Sequence, residues 1–288
     1  MKGRVVSLSC GIYSVESDGI IYNAPARGLF RSRGVKPMVG DLVELGEETY
    51  VINDVYERTN CLKRAPIANV NQMLIIESLK EPEFSYLLAF KYLTYANMHN
   101  IKAKIILTKS DKEDDKNAIE EIKEVFKKVG IDIYVVSNKT HEGLEEVRKI
   151  FSNHITCLIG QSGVGKSSLI NSIDKDFERR VGEYSYALGR GKHQTKEVIL
   201  LPYEGGYIAD TPGFSSLELD LYKEDLAQFY PGFTVKFTDC YFSNCLHLTE
   251  NKCVIKDMIN SGEYPIIAYE CYKKLSDEAI YKMKRYER

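Results

Sequence analysis

Gly160-Gln161-Ser162-Gly163-Val164-Gly165-Lys166-Ser167-Ser168 is the stretch that decides the fold. An apolar run, 155–159, leads into it, and residues 169–173 continue with helical spacing. Strand, G-x-x-x-x-G-K-S loop and helix form the arrangement of a phosphate-binding P-loop. Glycine admits backbone angles and close approaches that a side chain blocks, so successive N–H groups can converge on a polyphosphate. The helix that follows adds its positive N-terminal end. Lys166 is placed to reach the β- and γ-phosphates, a binding and a catalytic role, and the Ser167 hydroxyl to ligate Mg²⁺. Residues 160–168 therefore predict a site for a nucleoside triphosphate.

Composition sets outer bounds. A chain of 288 residues predicts two or three domains, and 44% hydrophobic content suffices for buried cores. No apolar run approaches the roughly 20 residues that span a bilayer. The apolar run after Met1-Lys2-Gly3-Arg4 is too short for a signal peptide, so a cytoplasmic protein with no membrane partner is expected. Seven cysteines then read as thiols or metal ligands and not as disulfides. A formal net charge of −2 exerts no global pull on nucleic acid, so any RNA binding rests on local basic patches.

Residues 1–67 read as five short strands (3–9, 12–16, 20–24, 41–45 and 49–55) broken by Gly11, Ser17-Asp18-Gly19, Pro37 and Gly46. That predicts a small closed barrel of the OB-fold type. Between the third and fourth strands, Arg27, Arg31, Arg33 and Lys36 surround Phe30. This loop suits a sugar–phosphate backbone with a stacked base, and equally a solvated surface. Tyr13 and Tyr22 read as barrel filling.

From residue 68 the rhythm changes to strand–helix alternation, the sign of a parallel sheet covered by helices. Strands are expected at 72–77, 104–107, 132–136 and 155–159, with helices at 84–98, 119–129 and 144–151. A polar stretch, 174–196, precedes strands at 197–201 and 207–209. The second strand ends in Asp210-Thr211-Pro212-Gly213, a D-x-x-G element. Asp210 would hold Mg²⁺ through water, and the Gly213 N–H would meet the γ-phosphate only while that phosphate is present. Thr108-Lys109-Ser110-Asp111 reads as a guanine-reading T/N-K-x-D element, although such a stretch alone also suits a helix N-cap. The Asp111 carboxylate can accept from both guanine N1–H and the exocyclic amine, a pair that adenine does not offer. Ser137-Asn138 is the loop expected to present a backbone N–H to guanine O6, with Asn138 where Ala is usual.

The base-reading loops precede the P-loop, whereas ordinary GTPases place them after it. The sheet accommodates this if the ordinary termini are joined through 144–151 and the chain is reopened after the switch, which is circular permutation. All binding loops then still lie at the carboxyl ends of parallel strands.

Cys240-x4-Cys245-x-His247-x5-Cys253 supplies three thiolates and one imidazole, the set for a closed tetrahedral structural Zn²⁺ site. The remaining thiols, Cys10, Cys61, Cys157 and Cys271, read as packing residues.

With a β-rich domain before and this cluster after, the chain resembles the ribosome small-subunit-dependent GTPase A family (RsgA, also called YjeQ) from end to end. The resemblance implies an OB-fold at 1–67, a permuted GTPase domain at 68–222 and a helical zinc-binding domain at 223–288. It further implies late maturation of the small ribosomal subunit, binding to its rRNA, and GTP and GDP as ligands of a monomer. Phe214 stands where small GTPases keep a water-orienting Gln, so the water must be held from elsewhere. His193 is the candidate and matches the family's proposed catalytic histidine; flanked by Arg190 and Lys192, it also suits an RNA contact. Thr195 would ligate Mg²⁺ from switch I, with Gln194 where the family usually has Thr. A nucleotide-gated RNA-binding module with incidental hydrolysis is the alternative. Delivery of the zinc onward is a third reading, opposed by closed four-ligand coordination.

Overall fold

The structure, a computed structural model, describes residues 1–28, 30, 36–62, 66–113, 115–177, 179, 182, 198–210, 221–234 and 236–280. The chain divides into two compact units. The first comprises Met1–Met73, Leu144–Gly160 and Lys166–Ser216; the second comprises Leu74–Gly143, Gln161–Gly165 and Leu217–Arg288.

The chain begins with β1 (Lys2–Ser9), β2 (Ile12–Ser17), β3 (Ile20–Pro25), β4 (Leu42–Leu45) and β5 (Ile52–Val55), ordered β3-β2-β1-β4-β5 in an antiparallel sheet. A parallel bridge from Ala26 to Ile52 joins the two outer strands, so the predicted closure is present. Hairpin turns at Cys10-Gly11 and Asp18-Gly19 have positive φ at both residues, which matches the right-handed twist of the strands they connect. Val5, Val15, Val43, Leu45 and Ile52 fill the interior with Tyr13. Phe30 is buried there too, so it is core and not the base-stacking ring that the sequence allowed. Tyr22 is only half-buried and stacks on Tyr50 at 5.0 Å. Cys10 is exposed and Cys61 half-buried, against the packing expected of both; Cys157 and Cys271 are buried.

A two-stranded ribbon, β6 (Cys61–Leu62) and β7 (Ile67–Ala68), precedes the alternating region. There the order is β8 (Gln72–Ser78), α1 (Tyr86–Met98), β9 (Lys102–Thr108), α2 (Lys116–Lys128), β10 (Ile133–Val135), α3 (Leu144–Lys149), β11 (Ile155–Ile159) and α4 (Lys166–Ile173). The hairpin β12 (Ile199–Tyr203) and β13 (Gly206–Asp210) follows. The six strands are ordered β10-β9-β8-β11-β13-β12, and β10 with β9 and β11 with β13 are parallel pairs. Every residue of β8 is buried, as a strand covered on both faces requires. Within the first unit, the Tyr207 hydroxyl on β13 donates to the Glu16 carboxylate on β2, and the Arg4 guanidinium lies 5.8 Å from the centre of the Tyr207 ring.

In the second unit, Ser85 caps α1 and Asp115 caps α2, each accepting a main-chain N–H inside the first turn. On α1, Ala89, Phe90 and residues 92–96 are all buried, which is more than one side of the helix. The cause is a second cover: α5 (Lys223–Phe229) and α7 (Ile266–Glu278) both pack on α1. Between α5 and α7 come the metal-cluster loop and α6 (Val254–Asn260). Aromatic rings run through this unit without a break. Phe126 stacks on Phe90 at 4.9 Å, Phe90 on Tyr230 at 5.4 Å, and Tyr230 meets Phe233 at 5.1 Å. Phe126→Ala removes the largest side chain of α2 from a fully buried position and should cost about 3–5 kcal/mol. Urea denaturation checks this; a loss below about 1 kcal/mol would mean that the cavity collapses. Among the described residues no helix is long and apolar enough to cross a membrane.

Candidate nucleotide site and metal cluster

β11 delivers the chain to the loop and α4 receives it, as the spacing predicts. Gly163 and Gly165 have φ of 84° and 96°, a region that L side chains rarely enter, so these two positions require glycine. Val164 between them is fully buried and anchors the loop, while Ser162, Gly163, Ser167 and Ser168 are exposed. Gly160 accepts a hydrogen bond from Lys166 Nζ at 2.6 Å. Gln161 is half-buried.

The loop after β9 meets this P-loop segment inside the second unit. The buried Thr108 hydroxyl donates to the Val164 carbonyl at 2.6 Å. Lys109, left-handed at φ 61°, sends its ammonium to the Gly163 carbonyl at 2.8 Å and also to the Glu81 carbonyl. Two residues of the T-K-x-D element thus fasten the P-loop, and their bonds run to main-chain oxygens that any sequence would offer. Asp111 is exposed, and its Oδ1 accepts from Ser137 Oγ at 2.6 Å. That bond, above all, holds the Asp111 carboxyl below the usual carboxylate range, with its own main-chain N–H, Lys139 and Lys112 acting in the same direction. Ser137 is itself buried and accepts from the Lys139 and Thr140 N–H groups at 3.2 and 3.0 Å. Asn138 Nδ2 lies 3.5 Å from where a Cβ on Gly165 would sit. Ionised, aimed and exposed, Asp111 can take two N–H donors of a purine edge.

Sequence reasoning missed two supports. Ser137 is the donor that aims Asp111, beyond the main-chain role expected of it. The Glu81-Pro82 segment holds Lys109 and Lys112, and only proline after a run of strand residues marked it as a special turn. Asp210 ends β13 as expected. His193, Thr195 and Gly213 lie outside the described residues, as does the side chain of Asp210.

Cys240, Cys245, His247 and Cys253 come together in the second unit, with their ligand atoms all within 4.8 Å of one another. Cys240 Sγ lies 3.9 Å from Cys253 Sγ and 3.6 Å from His247 Nδ1, and Nδ1 lies 3.3 Å from Cys253 Sγ. A tetrahedral ion with metal–sulfur bonds of about 2.3 Å requires edges of about 3.8 Å, so the donor set fits. Burial, together with the neighbouring thiols, pushes the Cys245 thiol up to about 12, a strain that a cation in the centre would reverse. The support around the cluster was not read from the sequence. Glu250 accepts from the N–H groups of Leu246, Leu248 and Thr249 at 2.7, 2.9 and 3.0 Å. The Tyr269 hydroxyl donates to the His247 carbonyl at 2.7 Å, and Tyr272 to that of Leu246. Phe233 packs edge-on against the His247 ring at 5.1 Å.

A strand–P-loop–helix element whose T-K-x-D loop is bonded to it yet precedes it in the chain defines a circularly permuted P-loop GTPase. The family described as RsgA GTPase matches residues 55–220, and that described as RsgA N-terminal domain matches residues 2–50. The small ribosomal subunit biogenesis GTPase RsgA of Geobacillus sp. (strain WCH70) is 38% identical over 99% of both chains, and its namesake from Bacillus subtilis (strain 168) is 37% identical over 99% of both. The crystal structure of YjeQ from Thermotoga maritima superposes with a TM-score of 0.82 at 33% identity, covering 96% of this chain and 97% of that one. YloQ, described as a circularly permuted GTPase, superposes at 0.80 with 32% identity, covering 96% of this chain and 94% of that one. The chain belongs to the RsgA GTPase family.

Proposed function

We propose that this chain hydrolyses GTP as an assembly factor in late maturation of the small ribosomal subunit, binds that subunit's rRNA, and leaves after hydrolysis. It would act as a cytoplasmic monomer, with 1–67 as RNA-binding barrel, 68–222 as GTPase domain and 223–288 as metal-binding domain. The relatives that match over 99% of the chain are small ribosomal subunit biogenesis GTPases, which supports the process. One observation supports the nucleotide chemistry above others: Thr108 and Lys109 bond to Val164 and Gly163, as a single site built from the T-K-x-D loop and the P-loop requires despite their order.

In this reading residues 160–168 cradle the phosphates, with Lys166 on the β- and γ-oxygens. Asp111 and the Ser137-Asn138 loop read guanine. Ser167 and Thr195 hold Mg²⁺, and Asp210 reaches it through water. Bound Mg²⁺ would neutralise charge that develops on the transferred phosphoryl group. Gly213 would report the γ-phosphate, and His193 would orient the attacking water. The Cys240, Cys245, His247 and Cys253 set would hold one structural Zn²⁺, with no open position for chemistry.

Hydrolysis measured with purified small and large subunits, at two salt concentrations, tests this. Stimulation by small subunits alone is expected, weakening as salt rises. Equal turnover with either subunit or with none would favour the gated RNA-binding module. His193→Ala should cut stimulated turnover at least about tenfold with GDP affinity unchanged. Undiminished stimulated turnover would remove His193 from the mechanism.

A further inference from the structure

Tyr241 and Phe242 sit between two cluster cysteines, yet they are 69% and 44% exposed. Their rings meet edge-to-face at 4.9 Å, and Lys252 Nζ stands 4.6 Å from the centre of the Tyr241 ring. The segment is fixed at both ends. Cys240 and Cys245 are buried in the cluster, the Tyr241 N–H donates to the Lys252 carbonyl at 3.3 Å, and the Cys245 N–H donates to the Phe242 carbonyl at 3.2 Å. Presenting these rings therefore costs little further ordering of the backbone.

The surroundings indicate what the rings meet. A protein partner anchored by aromatic residues needs a contiguous apolar patch that excludes water. Here Ser243, Asn244, Thr249, Asn251 and Lys252 are all exposed. The one carboxylate of the 241–252 loop, Glu250, is turned onto three main-chain N–H groups. Two exposed rings with a cation and amide or hydroxyl neighbours, on a rigid knuckle, have the make-up of a stacking platform for unpaired bases.

We propose that Tyr241 and Phe242 stack on unpaired RNA bases while Lys252 meets the adjoining phosphate. This rests on the reading that the chain docks on the small subunit, and it names the residues and the RNA feature involved.

The test uses the full chain with a GTP analogue and purified small subunits, measured by co-sedimentation and ultraviolet crosslinking. Tyr241→Ala with Phe242→Ala should weaken binding about tenfold or more. Bound metal and subunit-free GTP turnover should stay at wild-type levels. Tyr241→Trp with Phe242→Tyr should restore binding, because any aromatic face can stack on a base. Lys252→Ala should lower the salt slope by about one. Leucine at both positions keeps apolar bulk without a stacking face, so binding as tight as wild type would overturn the proposal. Crosslinks from 241–242 that map to a ribosomal protein in place of rRNA would overturn it too. Wild-type chain that fails to sediment with small subunits would bring down the functional reading and the platform together. Wild-type chain that sediments, alongside a double-alanine variant that sediments equally, would bring down the platform alone.

Discussion

Asp111→Asn is expected to lower GTP affinity by about 10⁴-fold, the size of discrimination that a site built to pair a substrate N–H loses when pairing fails. Asparagine keeps one acceptor oxygen but turns an NH₂ donor toward the exocyclic amine of guanine, so two donors face each other. Xanthine carries a carbonyl at that position, and affinity for xanthosine triphosphate should rise in the variant. Ser137 stays in place to bond the remaining oxygen, so the loop keeps its shape and the change reads out base chemistry. Nucleotide titrations with GTP, ATP and XTP measure it. Retained GTP affinity would remove Asp111 from the site, and a uniform loss for all three nucleotides would show damage to the P-loop. The sign of the pH effect follows from the same bond. Ser137 depresses the Asp111 pKa, so the carboxylate is charged at neutral pH. The preference for GTP over ATP, in which the shared triphosphate cancels, should stay level as pH falls toward the ordinary carboxylate range, about 3.9, and drop only below it.

Much of this was legible in the chain because its chemistry depends on residue types at fixed spacing. A P-loop needs glycine where φ is positive, at Gly163 and Gly165, and a strand and a helix on either side. Four soft ligands within fourteen residues can hardly be arranged other than around a centre. Period-two and helical patterns marked the barrel and the alternating sheet. The misses have one cause: they depend on what packs from far along the chain. Phe30 reads as a loop aromatic until the barrel interior closes over it. The extra buried sides of α1 appear only once α5 and α7 cover them. Tyr269 and Tyr272 look like members of a polar, tyrosine-rich tail, yet their hydroxyls bond the main chain of the cluster loop. The core of this C-terminal segment is aromatic, which an aliphatic pattern does not reveal. Tyr230, Phe233, Tyr264 and Tyr272 bury rings and send the hydroxyls of Tyr230 and Tyr264 to the carbonyls of Ala268 and Pro231.

Removing the metal should have the largest effect on stability. Apparent binding free energies of structural zinc run to about 10–16 kcal/mol in small metal-folded domains, and that energy is folding energy because the unfolded chain has no site. The cluster loop has little else to hold it: 238–253 contains no α-helix and no strand, and its order rests on the ligands, the Glu250 bonds and the two tyrosine hydroxyls. The aromatic rings behind it should keep α5 and α7 partly packed, so the loss should be local. Treatment with a strong chelator, or Cys240→Ser, should lower the melting transition of the second unit by at least about 10 °C, since about 1 kcal/mol moves the midpoint by 2–4 °C at this size. Reaction with a thiol reagent gives the second reading. The exposed Cys10 should react in both forms, whereas Cys240, Cys245 and Cys253 should become fast only after stripping. Cys10→Ser serves as the control, altering the thiol count without altering the melt. Equal melting before and after chelation, with three slow thiols in both forms, would mean that the cluster is a packed set of sulfur atoms held together by Phe233 and Tyr272 and not by an ion.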